Sequence, residues 1–507
     1  MSSDMERASG IILPISALPS PYGIGTLGRA ARDFADFLSA AGQRCWQLLP
    51  LGPTGYGDSP YSPFSTFAGN PYYVDLEELA DRGLLTRQEL ESGNWGDDGR
   101  QVDYGALYGS RWTLLERAAE RAWEKCPREI AAFAEENRAW LDDYALFMAI
   151  KRRCGMAPWT AWPREELRLR DPAALASARA ACREDIRLFT FVQYEFFRQW
   201  DALRAYVREK GLTLIGDVPI YVAMDSSDVW AEPQLFRLDG QNRPTAVAGV
   251  PPDYFSEDGQ LWGNPLYRWE EMEKDGYGWW IRRIGAATRL YDVIRLDHFR
   301  GFAAYWSVPA GEDTARGGHW EKGPGMKLIG PLRDWFSSVP FIAEDLGCDD
   351  EDVRRLLQDS GFPGMRVLEF AFRAAEPSTY LPHCHIPHSV CYTGTHDNAT
   401  LRQWYGELEE DDLRFTRAYL GLNGEEGPLW GMIRAGMSSV AELFLAQMQD
   451  YLWLGAEARM NTPGTAQGNW RWRLLPGELT PALAEKLRAV TVRYGRCAAT
   501  AGARTAG

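Results

Sequence analysis

Val293 to Phe302, VIRLDHFRGF, carries charge where a buried strand should end. Strand alternation places Val293, Arg295 and Asp297 on one face, with Ile294 and Leu296 on the other. A guanidinium and a carboxylate two residues apart, closing an apolar run, need each other. Arg295 is always charged, and its proximity is expected to hold Asp297 ionised near neutral pH. An ionised carboxylate at the C-terminal end of a barrel strand could act as a nucleophile. A salt bridge that only caps a buried strand accounts for the same residues.

Two further apolar runs end in acids, Pro340–Asp345 with Glu344 and Val390–Asp397 with Asp397. Glu344 follows Asp297 by 47 residues and Asp397 follows Glu344 by 53. Those gaps suit successive or alternate βα units of roughly 30 residues plus loops. Three carboxylates at one barrel mouth cannot all stay charged and unpaired. Mutual repulsion would raise one pKa and set an acid beside a base, which glycoside chemistry uses. Arg295, His298 and His396 are the expected partners that keep the other two ionised. Leu212–Asp217 is a similar run, with Ile215 and Asp217 on one face.

The elements that would position these groups recur along the chain. Buried-strand candidates are Gly10–Ser16, Trp46–Pro50, Leu212–Asp217, Val293–Asp297, Pro340–Asp345, Met365–Phe370, Val390–Asp397, Met448–Leu454 and Arg459–Pro463. Helices separate them, and several end in Asp or Glu. Parallel strands alternating with helices, with polar residues at the strand C-termini, predict an α/β fold, a (β/α)8 TIM barrel. Leu76–Leu84, Tyr108–Cys126, Arg128–Arg152 and Asp185–Lys210 show helical apolar spacing, which predicts a helical insertion over 75–210 with Tyr104 in a loop inside it. Residues 218–285 are loop-rich and predict a second insertion, including Gly249–Tyr267, over the open end of one catalytic barrel formed by the whole chain, 1–507. Gly52–Tyr73 is too rich in Gly, Pro and Ser for helix or strand yet holds four tyrosines and two phenylalanines. Such a loop either packs on itself or offers Tyr56 and Tyr61 to a sugar ring.

Composition narrows the class. A net charge of −15 and a pI near 5.1 give the wrong sign for nucleic acid or an acidic membrane surface. Most of the 21 Trp are expected in the core, and a surplus of Trp is also what a sugar-stacking cleft requires. No apolar stretch approaches the roughly 18 residues of a membrane span, and nothing near the N-terminus has the pattern of a signal peptide. Eight scattered Cys without a CxxC pair read as the reduced thiols of a cytoplasmic protein.

Three patterns are set aside. Gly23-Ile-Gly25-Thr-Leu-Gly28 formally matches GxGxxG, but Ala17–Tyr22 separates it from the preceding strand and the next strand ends without an acid. A tight turn explains those glycines better. His383, His385 and His388 resemble a metal cluster, yet Pro382 and Pro387 suggest an irregular connection without fixed ligand geometry. Asp349 to Asp352 read as the acidic start of a helix. No metal or cofactor is implied.

VIRLDHFRGF, FIAEDLG, YTGTHDNAT, GDVPIYV, GYGDSPYSPFSTFAGNPY and RMNTPGT together resemble the 4-α-glucanotransferases, or amylomaltases, of glycoside hydrolase family 77. The likeness runs in order from about Gly10 to Arg473. It implies a (β/α)8 barrel with insertions, no C-terminal β-sandwich, and maltooligosaccharides or amylose as partners. Carried over by position, Asp297 resembles the nucleophile, Glu344 the general acid/base and Asp397 the transition-state stabiliser. Arg295 and His396 resemble residues that hold the nucleophile and the sugar hydroxyls. Asp217, Trp262, Asn469 and Tyr61 resemble sugar-contacting positions, and Tyr56 and Tyr104 an accessory glucan site. Transfer between glucans, including cyclisation, is therefore the expected activity, with net hydrolysis of α-1,4-glucans as the alternative within the same class. A non-catalytic glucan-binding protein would be expected to have lost a carboxylate, and all three are present. Water exclusion by the loops at 52–73 and 249–267 is what would separate transferase from hydrolase.

Overall fold

The computed structural model describes residues 7–55, 57–252, 256–347, 350–465 and 467–497. Eight parallel strands, numbered here in chain order, form the central sheet: β1 (Ala8–Ile12), β2 (Cys45–Gln47), β3 (Thr213–Val218), β4 (Val293–Leu296), β5 (Phe341–Ala343), β6 (Gly364–Val367), β7 (Ser389–Tyr392) and β8 (Leu443–Gln447). From β1 to β5, and again from β6 to β8, each strand pairs with the next in sequence, and β8 returns to pair with β1. The Ala343 amide donates to the Pro363 carbonyl at 3.0 Å, bringing β5 to β6. The result is the (β/α)8 barrel that the strand-and-helix alternation predicts.

Alternation along these strands builds two apolar layers. Ala8, Cys45, Ile215, Val293, Ile342, Met365, Val390 and Leu443 fill the barrel interior. Ile294 and Leu296, on the opposite face of β4, pack outward against the helical layer. Burying each such side chain contributes on the order of 1.5–3 kcal/mol. Nearer the C-terminal ends the interior becomes polar: Tyr392 donates its hydroxyl to Gln47 at 2.9 Å, and Asp217 and Arg295 lie in the same layer, both buried. The catalytic-looking residues thus stand on a solid apolar plug.

The last strands differ from expectation. Met448–Leu454 is not a strand. Met448–Tyr451 is a helical turn, and β8 lies just before it at Leu443–Gln447. Arg459–Pro463 forms no strand either; it is an irregular segment after a 3-10 turn at Ala456–Ala458. After β8 the described residues contain helix, including Pro481–Arg493, and no strand.

Between β2 and β3 the chain is helical, with long helices at Tyr104–Lys125, Arg138–Arg153 and Arg183–Glu209. Tyr104 opens the first of these, capped by Asp103, which accepts from the Ala106 amide at 3.0 Å. It is therefore not in a loop. Between β3 and β4 the chain is less irregular than its composition suggests. Ala246–Val250 and Gln260–Pro265 pair antiparallel, and the sheet continues through Ala304–Pro309 and His319–Lys322. Half of this four-stranded sheet comes from beyond residue 285.

Candidate active site

Four barrel strands converge on one cluster. Asp217, on β3, accepts from Arg295 of β4 at 2.6 Å and from the Tyr61 hydroxyl at 2.7 Å, both on Oδ2. The same guanidinium nitrogen of Arg295 donates to Asp297 Oδ1 at 2.9 Å. Arg295 is only 3 % exposed, so these charge-assisted bonds form away from water, where they are strong. Glu344, just after β5, is held by backbone: Oε2 accepts from the His298 amide and Oε1 from the Leu346 amide, each at 2.8 Å. His298 sits in the left-handed region at φ 52°, which turns its amide toward Glu344.

Asp397 follows β7. Its Oδ1 accepts from Asn461 Nδ2 at 2.6 Å, and its Oδ2 lies 3.3 Å from His396 Nε2. Arg459 donates to the Asp397 carbonyl and to the Asn461 carbonyl, each at 2.8 Å, so it fixes both residues. Sequence reasoning misses Asn461 and Arg459, because their partner Asp397 lies 64 and 62 residues away. The Tyr61 ring lies flat on His396, with centroids 5.0 Å apart and an interplanar angle of 15°, which brings the Gly52–Tyr73 loop onto the barrel mouth.

The electrostatics divide the three carboxyls. Asp297 is pushed up to about 7: burial is the main cause, Arg295 opposes it, and Asp217, Glu344 and Asp397 add to it. The expectation that the proximity of Arg295 would hold Asp297 ionised near neutral pH is not met: burial outweighs that guanidinium, which is also shared with Asp217. Glu344 is also raised, by burial first, against the pull of Arg295 and the two backbone amides. Asp397 goes the other way. Burial opposes its ionisation, but the His396 ring, the Asn461 amide and Arg295 bring it down to about 2. His396 is correspondingly raised, as the neighbouring carboxylate outweighs burial. His298 does not act as a cationic partner. Burial and Arg300 push its ring down to about 3, and only its backbone amide serves Glu344.

Trp262 stands on the strand Gln260–Pro265, 38 % exposed, edge-on to His298 at 4.8 Å between centroids. Asn469, partly exposed, is bonded within its own loop: its oxygen accepts from the Thr462 amide at 3.0 Å and its nitrogen donates to the Thr465 carbonyl at 3.0 Å. These bonds close the turn that follows Asn461. Tyr104 lies half-buried near Tyr72, and its hydroxyl donates to the Trp470 carbonyl at 2.9 Å. Tyr56 lies outside the described residues.

The patterns set aside resolve locally. A Cβ on Gly25 would sit 1.7 Å from the Ile15 carbonyl oxygen, so that glycine permits a close backbone approach. His383, His385 and His388 contact the Tyr419 hydroxyl, the Tyr380 carbonyl and the Gly361 carbonyl respectively. Asp350 caps the helix Glu351–Ser360, with Glu351 and Asp352 in its first turn, while Asp349 lies outside the described residues. Among the described residues seven cysteines are free, and no helix is long and apolar enough to cross a membrane.

The family profile of the 4-alpha-glucanotransferases matches residues 13–479. The 4-alpha-glucanotransferase of Thermus thermophilus is 49% identical over 96% of this chain and 98% of its own. The chloroplastic/amyloplastic 4-alpha-glucanotransferase of Solanum tuberosum is 42% identical over 97% and 87%. The amylomaltase of Streptococcus agalactiae, solved in complex with acarbose, superposes with a TM-score of 0.95 at 38% identity, covering 97% of this chain and all of that one. With an eight-stranded barrel, the carboxylate cluster at its mouth and these relatives, the chain belongs to glycoside hydrolase family 77, a family of glucan-transferring enzymes.

Proposed function

We propose that this chain transfers α-1,4-glucan segments to an acceptor glucan or glucose by a retaining double displacement. The observation that carries the reading is the geometry of one cluster at the barrel mouth: Asp297 bonded to Arg295, Glu344 held by the His298 and Leu346 amides, and Asp397 held between Asn461 and His396. Burial raises Glu344, the direction that favours the proton-carrying form a general acid needs. A lowered Asp397 is permanently anionic beside the developing positive charge. Asp297, aimed by Arg295, attacks the anomeric carbon, and a glycosyl ester forms as the glycosidic C–O bond breaks. Glu344 gives its proton to the departing O4. As a carboxylate, Glu344 then takes the proton of an acceptor 4-hydroxyl, whose oxygen attacks the anomeric carbon and releases Asp297. When acceptor and donor are the same chain, the product is cyclic.

His396 and Arg295 support the carboxylates, while Asp217, Tyr61 and Trp262 line the sugar path; in this reading no metal or cofactor takes part. Segments 75–210 and 218–285 serve as insertion subdomains that bound the cleft. The decisive experiment is incubation with pure maltotriose followed by chromatography. Free glucose together with maltopentaose and longer chains is expected, with little gain in total reducing ends. A steady rise in reducing ends without longer products would overturn transfer in favour of hydrolysis.

Tyr56 and Tyr104 remain in this reading as an accessory glucan site. Because the Tyr104 hydroxyl is spent on the Trp470 carbonyl, a sugar stacked there would meet the ring alone. Tyr104→Phe is then expected to keep the affinity for amylose, and Tyr104→Ala to lower it by about fivefold, the worth of one aromatic contact. Equal losses in both variants, measured by affinity electrophoresis in amylose gels, would assign the effect to the hydroxyl and to loop packing.

A further inference from the structure

Trp470 is buried beside the catalytic cluster and has no part in the transfer steps above. Its indole lies 5.8 Å from the Tyr61 ring and 5.9 Å from the His396 ring between centroids, tilted 37° to one and 38° to the other. Those two rings are nearly parallel to each other. A stack of two rings resists separation but slides easily in its own plane. A third ring set across both of them blocks the slide on its side. Sliding matters here because both nitrogens of His396 are engaged. Nε2 lies 3.3 Å from Asp397 Oδ2, and Nδ1 lies 3.5 Å from the Tyr61 hydroxyl.

The backbone that carries this indole is held against its own preference. Trp470 has φ 64°, in the left-handed region that glycine adopts freely and a bulky aromatic rarely does. Such a conformation persists only where its surroundings over-determine it. Here the Trp470 amide donates to the Met460 carbonyl at 2.7 Å, and the Trp470 carbonyl accepts from the Tyr104 hydroxyl at 2.9 Å. The same segment carries Asn461, whose amide donates to the His396 carbonyl at 3.1 Å and whose side chain holds Asp397. One irregular segment therefore grips the His396–Asp397 turn twice, at the carboxylate through Asn461 and at the imidazole through Trp470. With only 6 % of its surface exposed, the indole is placed to hold its neighbours rather than to carry a sugar.

We propose that Trp470 is a positioning residue of the reaction: its indole fixes the Tyr61–His396 stack, and through it keeps His396 on Asp397. This rests on the roles given to His396 and Asp397 in the proposed transfer and adds the group that aims them. A shift of the imidazole loosens Asp397 Oδ2 at the moment when positive charge develops on the sugar. The effect therefore falls on the transition state and leaves ground-state binding nearly as it is.

The test compares Trp470→Ala, Trp470→Gly and Trp470→Phe with the parent enzyme. Ala and Gly remove the same ring, but only Gly suits φ 64°, so Trp470→Gly should melt higher than Trp470→Ala. Total consumption of maltotriose is followed, whatever products form, so an enzyme that hydrolyses instead of transferring leaves the test intact. The expected result is a kcat lowered about 10- to 100-fold in Ala and Gly alike, with KM within about twofold of the parent and kcat partly restored in Phe. The loss should also widen as pH rises. His396 keeps its proton chiefly because Asp397 outweighs burial; Asp217 from β3 adds to this, Arg295 from β4 opposes it, and the Tyr61 hydroxyl faces the ring. A ring free to turn from Asp397 gives up that proton at lower pH, and the charge-assisted contact goes with it. A smaller folded fraction would instead cut kcat by one factor at every pH. A kcat loss that follows melting temperature, smaller in Gly than in Ala and constant with pH, would reduce Trp470 to a structural role and overturn the proposal. Near-parental kcat in a folded Trp470→Gly variant would overturn it equally.

Discussion

Asp297→Asn is expected to lower turnover of maltotriose by at least about 10³-fold, as removal of a nucleophile does, and to raise the melting temperature at the same time. The second effect follows from burial. In the fold Asp297 titrates at about 7 against an ordinary value of 3.8, so its ionised form is disfavoured there. The folded-state pKa is raised, so the destabilisation is complete above pH 7 and disappears as pH falls toward 4. The neutral amide keeps an oxygen for the Arg295 hydrogen bond and removes one of several crowded negative charges. Such a displacement is on the order of a few kcal/mol, and at roughly 2.1 cal/mol/K per residue each kcal/mol moves Tm by about 1 °C in a chain of 507 residues. A rise of roughly 1–3 °C at pH 8, shrinking near pH 4, is the expected calorimetric result. A variant less stable than the parent at pH 8 would mean that the carboxylate is a net structural ion pair.

Glu344→Gln should lower transfer by about 10²–10⁴-fold, the usual worth of a general acid. Here the leaving group provides the discrimination. α-Glucosyl fluoride departs without a proton, so it should restore the first step in Glu344→Gln and release fluoride. In Asp297→Asn the same donor should stay inert, because no carboxylate remains to form the ester. Glycosyl-enzyme is then expected to accumulate in Glu344→Gln, since no base activates the acceptor, and mass spectrometry of the intact protein would detect it. If the fluoride rescued Asp297→Asn as well, the two roles would have to be exchanged or shared. The carboxamide of Glu344→Gln has one accepting oxygen for the two backbone N–H groups that the carboxylate serves, so a modest loss of melting temperature is expected as well.

What the sequence alone determined is what short-range order can carry. A strand that ends in charge is readable because alternation sets the facing of Val293, Arg295 and Asp297 without knowledge of any neighbour. The same holds for β3, β5 and β7, and the alternation with helices then leads to the barrel. Sequence misplaces the eighth strand because Leu443–Gln447 and Met448–Tyr451 are both fully buried. Their polar residues, Gln447, Gln449 and Asp450, are buried with the rest, so no solvent-facing side reveals a period and strand and helix look alike there. The antiparallel sheet escapes for a different reason: Gln260–Pro265 is mostly exposed and owes its form to a partner sheet completed only after residue 300. Tertiary structure alone joined Asn461 to Asp397 and set Arg295 between Asp217 and Asp297. It also decided the titration order of the carboxyls. That order depends on how many charges share one buried guanidinium and how far each lies from water, and sequence spacing encodes neither.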